Sequence, residues 1–157
     1  MLTAQVETLA DGGLEELKPL LPRHYEELSL HRFHDVPLNP QYEVYLERER
    51  LGEVLYVTVR DRGVLCGYFV GFVAPGLHYR ECLTLTMDIF YLLPEHRGQK
   101  GGAVLFDAVR AEAKRRGVKA WFVGNKEHAK VHATALFLAL GFELSEQYYC
   151  LWLGEGG

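Results

Sequence analysis

The feature that most constrains the fold is an apolar run that ends in a proline, continues through a basic, glycine-rich turn and opens into a helical pattern. It covers Leu92 to Phe106 and reads LLPEHRGQKGGAVLF. Glycines let backbone N–H groups approach an anion without obstruction by a Cβ atom, and the first turn of a helix offers unpaired donors. Arg97 and Lys100 add positive charge. The stretch therefore predicts a strand, a diphosphate-binding turn and a helix in succession.

Two common phosphate motifs are absent from the sequence. A P-loop needs Gly-Lys followed by Ser or Thr, and a dinucleotide fold needs Gly-x-Gly-x-x-Gly. The stretch resembles motif A of the GNAT superfamily of acetyl-CoA-dependent N-acetyltransferases, in which Arg-Gly-x-Gly-x-Gly (or Ala) joins a strand to a helix. Gly101-Gly102-Ala103 matches the end of that motif, whereas Arg97-Gly98 lies one residue further upstream than usual.

The resemblance implies that acetyl-CoA is the co-substrate. The residues expected to bind it are those of the turn and of the strand end before it: Leu92, Leu93, Arg97, Gly98, Gln99, Lys100, Gly101, Gly102 and Ala103. Asn125 follows the next predicted strand, where GNAT proteins often place an amide side chain on the pantetheine arm, and it joins this set.

The predicted order of elements is strand, two helices, three strands, helix, strand, helix and strand, which is the order of the GNAT fold. We therefore expect an α/β (α+β) protein with a mixed, mostly antiparallel sheet of six to seven strands flanked by helices. Residues 1–153 are expected to form one domain, with residues 154–157 as a disordered tail. The main elements predicted are a helix capped by Asn39, a hairpin turning at Asp61–Gly63, a buried strand at Ala120–Val123, a helix from Ala129 to Leu140 and a last strand within Phe142–Leu153.

Within the superfamily, the chain looks most like small acetyltransferases of phages and prophages. Three features carry this likeness: His78-Tyr79 before the motif A strand, the Asp-x-x-Tyr-Leu-x-Pro-Glu pattern of Asp88–Glu95, and the ending Leu140–Tyr149.

Composition limits the partners and the compartment. The chain has 157 residues, of which 48% are hydrophobic and 24% charged, and its net charge of −4 disfavours a nucleic-acid partner. No basic and apolar leader opens the sequence and no run has the length of a membrane span, so we expect a cytoplasmic protein without a membrane partner. The three cysteines show no metal-type spacing, and no metal is expected. A homodimer is left open.

Asp88 is the candidate general base. The reaction that the resemblance implies is attack of a primary amine on a thioester, and such an amine has a pKa of about 10.4, so it needs a proton acceptor. Asp88 lies in the middle of the motif A strand, where many family members carry a carboxylate. Strand alternation predicts that Leu85 and Tyr91 share one face, with Asp88, Phe90 and Leu92 on the other. A purely structural carboxylate is the alternative.

The residue that protonates the leaving thiolate is harder to assign. The family usually places a tyrosine four residues before the Gly-Phe of the last helix, and here that position is Phe137, which cannot donate a proton. Tyr149 is the candidate that we carry forward. The alternatives are Tyr148, Tyr91, His128 and a bound water.

Three further residues are candidates for contact with the acceptor amine. His78 and Tyr79 lie in the loop before the motif A strand, and Glu146 lies between Phe142 and Tyr149. The sequence therefore predicts an N-acetyltransferase that acts on a small-molecule or protein amine by direct transfer. Two alternatives stay open: a catalytically silent domain that binds acyl-CoA or a partner, and a phage-type modifier of nucleic acid or of a host defence protein.

Overall fold

A five-stranded sheet forms the centre of the fold. The computed structural model describes residues 1–28, 35–98, 100–127 and 129–154. The sheet order is β1-β2-β3-β4-β5; the first four strands are antiparallel to their neighbours, and β5 is parallel to β4. The strands are β1 (Leu2–Glu7), β2 (Val54–Asp61), β3 (Val64–Pro75), β4 (Leu83–Leu92) and β5 (Ala120–Phe122). The mixed, mostly antiparallel fold is confirmed, with five strands among the described residues rather than six or seven.

The helices are α1 (Gly13–Leu17), α2 (Leu21–Leu28), α3 (Tyr42–Arg50), α4 (Gly101–Arg115) and α5 (Thr134–Ala139). Two differ from the prediction. The N-cap of α3 is Gln41 rather than Asn39, and it makes no capping hydrogen bond. The last helix begins at Thr134 rather than Ala129, and it ends before Gly141, whose φ of 96° suits a glycine.

The β2–β3 hairpin turns as its sequence predicts. Arg62 and Gly63 have φ angles of 51° and 82°, the positive pair that a two-residue hairpin turn requires. On the neighbouring edge, Arg60 donates to Glu7 at 2.9 Å and to Glu16 at 2.6 Å. This arginine therefore joins β1 and α1 to β2, and its hydrogen bond lowers the pKa of Glu16.

The core lies between α4 and one face of the sheet. Phe106 of α4 is buried, and its ring centroid lies 4.8 Å from Phe90, 5.8 Å from Phe69 and 5.2 Å from Trp121. These contacts join three strands to one helix. Burial of such aromatic side chains is a main source of stability in a domain of this size.

Helix α3 packs on the opposite face of the sheet. The ring of Tyr45 lies 5.5 Å from that of Phe72, and the guanidinium carbon of Arg48 lies 3.9 Å from the same ring centroid. Phe72 alternates with Phe69 and Gly71 along β3 and so points away from α4. The arrangement brings the side chains of α3 towards the face of β4 that α4 does not cover.

The chain divides into two compact units, residues 1–19 with 40–124, and residues 20–39 with 125–157. The first holds the sheet, α1, α3 and α4. The second holds α2 and α5, and within it the N–H of Lys130 donates to the carbonyl oxygen of Glu27 at 2.7 Å. The ring of Phe137 packs against that of Phe142 at 5.8 Å. The single-domain interpretation stays a prediction.

Two strand predictions were wrong. Ala120–Phe122 forms a strand, but it is the edge strand of the sheet, and Phe122 is exposed. Residues 142–153 form no strand, since they pair with no strand of the described structure. Among the described residues, no helix is both long enough and apolar enough to cross a bilayer.

Candidate active site

Asp88 lies at a β-bulge in the middle of β4. Val70 of β3 is opposite Ile89, and the next residue, Gly71, is opposite Met87, so Asp88 has no partner residue on β3. Bulges of this kind often lie next to active sites, where they redirect a side chain. The side chain of Asp88 is exposed rather than buried in an apolar strand. Because this carboxylate is not buried, the cost of burial is no argument that Asp88 has a functional role. The bulge is such an argument.

The bulge also corrects the predicted faces of β4. A Cβ atom on Gly71 would lie 2.7 Å from Leu85, and one on Gly67 would lie 2.7 Å from Leu92, which places both leucines on the α4 side of the sheet. Phe90 is on that side too, against Phe106. Leu85 and Phe90 are an odd number of residues apart, so the simple alternation that separated them was wrong. The extra residue at position 88 reverses which residues of β4 face α4 from Ile89 onward.

Tyr45 of α3 holds the Asp88 carboxylate. Its phenolic hydroxyl donates to Oδ2 of Asp88 at 2.5 Å, the length of a strong hydrogen bond to a charged acceptor. The aromatic ring of Tyr45 is itself fixed against Phe72. Sequence reasoning missed this residue, because a tyrosine on a charged helix 43 residues away carries no local sign of the contact.

One edge of β4 is open beyond the bulge. Strand β5 pairs only with Thr84, Leu85 and Thr86, and in the described structure no strand pairs with residues 87–92 on that side. The N–H of Leu93 donates to the Cys66 carbonyl of β3 at 2.8 Å. Because neighbouring residues of a strand point their backbone groups to opposite sides, Leu92 faces the open edge and Leu93 faces β3.

The turn after β4 has the backbone of an anion site. Gly98 has a φ of 82° and Lys100 a φ of 63°, and Lys100 is the N-cap of α4 without a side-chain capping bond. The first N–H groups of a helix have no partner within the helix, and the predicted contact with a diphosphate would depend on those of Gly101, Gly102 and Ala103. Gln99 lies outside the described residues.

Two residues of the turn have clear packing roles. Nε of Arg97 donates to the Leu92 carbonyl at 2.8 Å, and its guanidinium carbon lies 5.4 Å from the Tyr91 ring centroid. Gly101 is buried, and a Cβ atom there would lie 2.9 Å from Leu92. The glycine is therefore needed for the close approach of α4 to β4, whether or not a phosphate binds.

Asn125 serves the start of α5. Its Oδ1 accepts the N–H of Ala133 at 2.9 Å, and its Nδ2 donates to the Thr134 hydroxyl at 2.8 Å. The side chain thus ties down the first residues of α5, whose N-cap, Ala133, makes no side-chain capping bond. Both the oxygen and the nitrogen of the Asn125 amide have structural partners, and contact with a pantetheine arm stays a prediction.

The remaining candidates lie on the surface. His78 and Tyr79 are exposed in the β3–β4 loop, with ring centroids 6.4 Å apart. Glu146 accepts a hydrogen bond from the Tyr148 hydroxyl at 2.7 Å, and this bond raises the pKa of Tyr148. Tyr149 is exposed and donates to Gln147 at 3.3 Å. Their roles towards a substrate stay predictions, and His128 lies outside the described residues.

Cys66 does not suit an acyl-enzyme mechanism. It is buried on β3 with its thiol directed at the Val59 carbonyl, and burial raises its pKa. Cys150 is exposed and Cys82 is partly exposed. No cluster of three or more His, Cys, Asp or Glu side chains able to hold a metal occurs in the described ranges.

A family model described as "Acetyltransferase (GNAT) family" matches residues 15–142, which is most of the chain. The chain belongs to this family. The match includes β2, β3, the Asp88 bulge, the turn and α4, and the predicted resemblance to the GNAT superfamily is confirmed. A search of curated proteins gave no match to this GNAT protein.

Solved structures show the same fold at low sequence identity. A ribosomal-protein-alanine N-acetyltransferase from Brucella melitensis is 17% identical, with a TM-score of 0.75 and 99% of each chain covered. An aminoglycoside acetyltransferase from an uncultured soil metagenomic sample is 14% identical, with a TM-score of 0.73 over 98% of this chain and 99% of that one. AAC(6')-Iy in complex with a bisubstrate analogue, CoA-S-monomethyl-acetylneamine, is 14% identical, with a TM-score of 0.73 over 97% of each.

Proposed function

We propose that this GNAT protein transfers the acetyl group of acetyl-CoA to a primary amine by direct attack in a ternary complex, with Asp88 as the proton acceptor. One observation carries the proposal: the bulge of β4 directs a carboxylate out of the sheet, four residues before the open edge at Leu92. At about 3.3 Å per residue, roughly 13 Å of strand separates the two. Base and cofactor edge thus belong to one rigid element.

The cofactor half of the proposal rests on α4 and the open edge of β4. The first N–H groups of α4, around Gly101 and Gly102, would hold the diphosphate, and Lys100 would add charge. The N–H of Leu92, whose carbonyl already accepts from Arg97, would donate to the pantetheine arm in place of a neighbouring strand. The fold shared with a structure that holds a CoA-containing analogue supports this assignment. Acetyl-CoA supplies the thioester.

The chemistry asked of the chain is a proton transfer. As the amine nitrogen bonds to the acetyl carbon, the carbon–sulfur bond breaks and the amine proton passes to Asp88, directly or through a water. Tyr45 keeps the carboxylate in one orientation during this step. A thiol has a pKa of about 8.5, so the leaving thiolate has little need of a proton donor. Tyr149 is the donor that we propose.

The acceptor is proposed as a primary amine of a small molecule or a protein. The similar structures include an aminoglycoside acetyltransferase and a ribosomal-protein-alanine N-acetyltransferase, which keeps both classes of acceptor in the proposal. His78, Tyr79 and Glu146 are the proposed contacts. The first two project from the loop that leads into β4, the strand that carries Asp88.

The role of Asp88 is tested by comparing the variant Asp88→Asn with a control variant, Asp107→Asn. Loss of a general base lowers the rate by about 10²–10⁴-fold, while the affinity for acetyl-CoA stays within about twofold. Asp107 is exposed on α4, and the same change there leaves turnover near wild type. Single-turnover rates and CoA calorimetry on matched preparations decide it. An Asp88→Asn enzyme that keeps the wild-type rate contradicts the proposal.

Tyr45→Phe tests the orientation of the base. It removes the hydroxyl and keeps the ring against Phe72, so we expect a roughly tenfold lower kcat with KM for acetyl-CoA unchanged. A loss of stability with kcat unchanged would leave Tyr45 a packing residue.

Phe137 supports a second function, a silent domain that binds acyl-CoA or a partner. The side chain is buried against Phe142, so the position where the family usually has a tyrosine is filled by packing. Such a protein binds CoA but releases no free thiol with any amine of a diverse panel. Turnover with one amine, lost in Asp88→Asn, excludes it.

A further inference from the structure

The side chain of Arg97 folds back from the glycine-rich turn onto the end of β4. Its Nε donates to the Leu92 carbonyl at 2.8 Å, and its guanidinium carbon lies 5.4 Å from the ring centroid of Tyr91. The hydrogen bond is partly buried, and a charged donor in such surroundings binds more strongly than in open water. All three residues belong to the first compact unit. A cation that the sequence predicts for a phosphate thus contacts the strand.

This hydrogen bond completes the peptide group at the end of β4. On one side, the N–H of Leu93 donates to the Cys66 carbonyl of β3 at 2.8 Å. On the other side, the carbonyl of Leu92, which belongs to the same peptide group, accepts from Arg97. Arg97 therefore takes the place that a neighbouring strand has elsewhere in the sheet. The backbone at Leu92 is held from both sides, and its carbonyl is occupied.

The positive charges of the turn are divided between its two ends. Lys100 is the N-cap of α4, so it lies next to the first N–H groups of the helix, where an anion is favoured. Gly98, with a φ of 82°, lies between Lys100 and Arg97. Arg97 is one residue further upstream than in the usual motif, which brings it closer to β4 along the chain. The position of Lys100 therefore suits the phosphates, and that of Arg97 suits the strand.

We propose that Arg97 positions the pantetheine arm through its Nε–H donor and not through its charge. This role rests on the proposed function, in which the N–H of Leu92 donates to the arm. Since the Leu92 carbonyl is occupied, the arm can place only an acceptor oxygen against Leu92, and it binds in one register. A slip by two residues would displace the arm by roughly 7 Å and carry the thioester away from Asp88. Arg97 also orders this backbone before the arm binds, which favours binding.

Two substitutions separate the donor of Arg97 from its charge. Arg97→Gln removes the charge but keeps an N–H donor directly after Cδ, where Nε lies in arginine. Arg97→Lys keeps the charge but has a methylene group, Cε, at that place. The same exchange of arginine for lysine at Arg62, in the turn between β2 and β3, is the matched control.

Calorimetry with CoA and with 3′-phospho-ADP, the nucleotide part of CoA without the pantetheine arm, measures the arm. The dissociation constant of 3′-phospho-ADP divided by that of CoA cancels the effect of charge on the phosphates. We expect Arg97→Lys to lower this ratio about fivefold, the value of one net hydrogen bond, with 3′-phospho-ADP bound within about twofold of wild type. Arg97→Gln should weaken both ligands alike and keep the wild-type ratio, and Arg62→Lys should change neither. A wild-type ratio in Arg97→Lys, or an equal loss in Arg97→Gln, overturns the proposal.

The same titrations distinguish a failure of this role from a failure of the proposed function. A wild-type protein that binds CoA no more tightly than 3′-phospho-ADP contradicts the arm site and the role of Arg97 together. A ratio that is large in wild type and equal in both Arg97 variants contradicts the role of Arg97 alone. A purely structural Arg97 would give that second result, together with lower melting temperatures for both variants.

The amide resonance of Leu92 reports the register of the arm. Saturation with CoA should give one bound resonance in wild type and in Arg97→Gln. Arg97→Lys should give two bound resonances or exchange broadening, because the uncovered carbonyl admits a second register. A single resonance in Arg97→Lys, at the wild-type position, would show that Arg97 does not set the register.

Discussion

Strand β4 and residues 142–153 have similar compositions and different structures. Both are rich in aromatic and branched apolar side chains with few charges. Strand β4 pairs with β3 along its length and with β5 at its start, and it is covered by α4. Among the described residues, no strand pairs with residues 142–153.

The difference shows that strand propensity needs a partner to become structure. A strand gains its backbone hydrogen bonds and much of its burial from its neighbours, so the same composition is stable in one place and open in another. Strand β4 itself has a neighbour on both sides only at its start, since β5 pairs with only three of its residues. The rest of that side is the open edge on which the cofactor site is proposed.

The largest expected effect comes from removing the support under β4. Phe106→Ala deletes a buried ring that contacts Phe69, Phe90 and Trp121, and it should cost about 3–5 kcal/mol of unfolding free energy. Chemical denaturation should give the same loss at 2 and at 50 μM protein. A loss below about 1 kcal/mol would mean that α4 does not stabilise β4.

A smaller effect is expected where α4 meets the end of β4. Gly101→Ala places a methyl group against Leu92 and should cost about 1–3 kcal/mol, with weaker CoA binding, because the turn must shift. Gly124→Ala is the control, since nothing lies within 4 Å of its added Cβ atom. Equal melting temperatures for the two variants would show that the close approach of α4 is not required.

The far end of α4 gives a pH-dependent prediction. The hydrogen bond from Arg115, joined by one from Arg116, lowers the pKa of Glu112 to about 2, and Arg116 also donates to the Val54 carbonyl of β2 at 2.7 Å. A carboxyl whose pKa is lowered on folding stabilises the protein above its unfolded value, near 4.3, and loses this contribution as the pH falls towards 2.

Glu112→Gln should therefore cost roughly 1–2 kcal/mol at pH 7, and the gap to wild type should narrow below pH 4. Urea titrations at pH 7, 4 and 3 measure it. The control, Glu43→Gln, changes an exposed carboxylate of α3. A gap that stays constant between pH 7 and 3 would exclude the ion pairs as its cause.

The smallest effect is expected at Tyr149, within residues 142–153. Tyr149→Ala should change the free energy of unfolding by less than about 0.5 kcal/mol, as for an exposed surface residue. Chemical denaturation of the variant beside wild type measures this change, and a loss above about 1 kcal/mol would place Tyr149 in a packed core.

The sequence predicted the elements that depend on local signals. The β2–β3 hairpin, β4 and α4 are bounded by glycines and a proline whose conformations are set within a few residues. The sequence did not predict the features that depend on contacts between residues far apart in the chain. The phase of β4 depends on a bulge against Gly71, and the orientation of Asp88 depends on Tyr45. The last strand failed for the same reason, because composition predicts a strand but cannot supply its neighbour.

The sequence nominates candidate site residues from local signals. Asp88 stands out because a carboxylate is conspicuous in an apolar run, and the turn stands out because its glycines and cations are adjacent; their roles stay predictions. The sequence could not show that the amide oxygen and nitrogen of Asn125 are both used at the start of α5, nor that Arg97 turns back onto Leu92. Both depend on folded geometry.

The bulge at Asp88 adds a residue to the strand without disturbing the core. With residue 88 removed, Met87 and Ile89 would still be opposite Gly71 and Val70, and Leu85, Phe90 and Leu92 would have the even spacing of a regular strand that faces α4. The position that carries the carboxylate therefore lies outside the packing order of the sheet. It can be gained, lost or exchanged in evolution while the apolar side chains under α4 keep their places, so chemistry and stability can change independently in this strand.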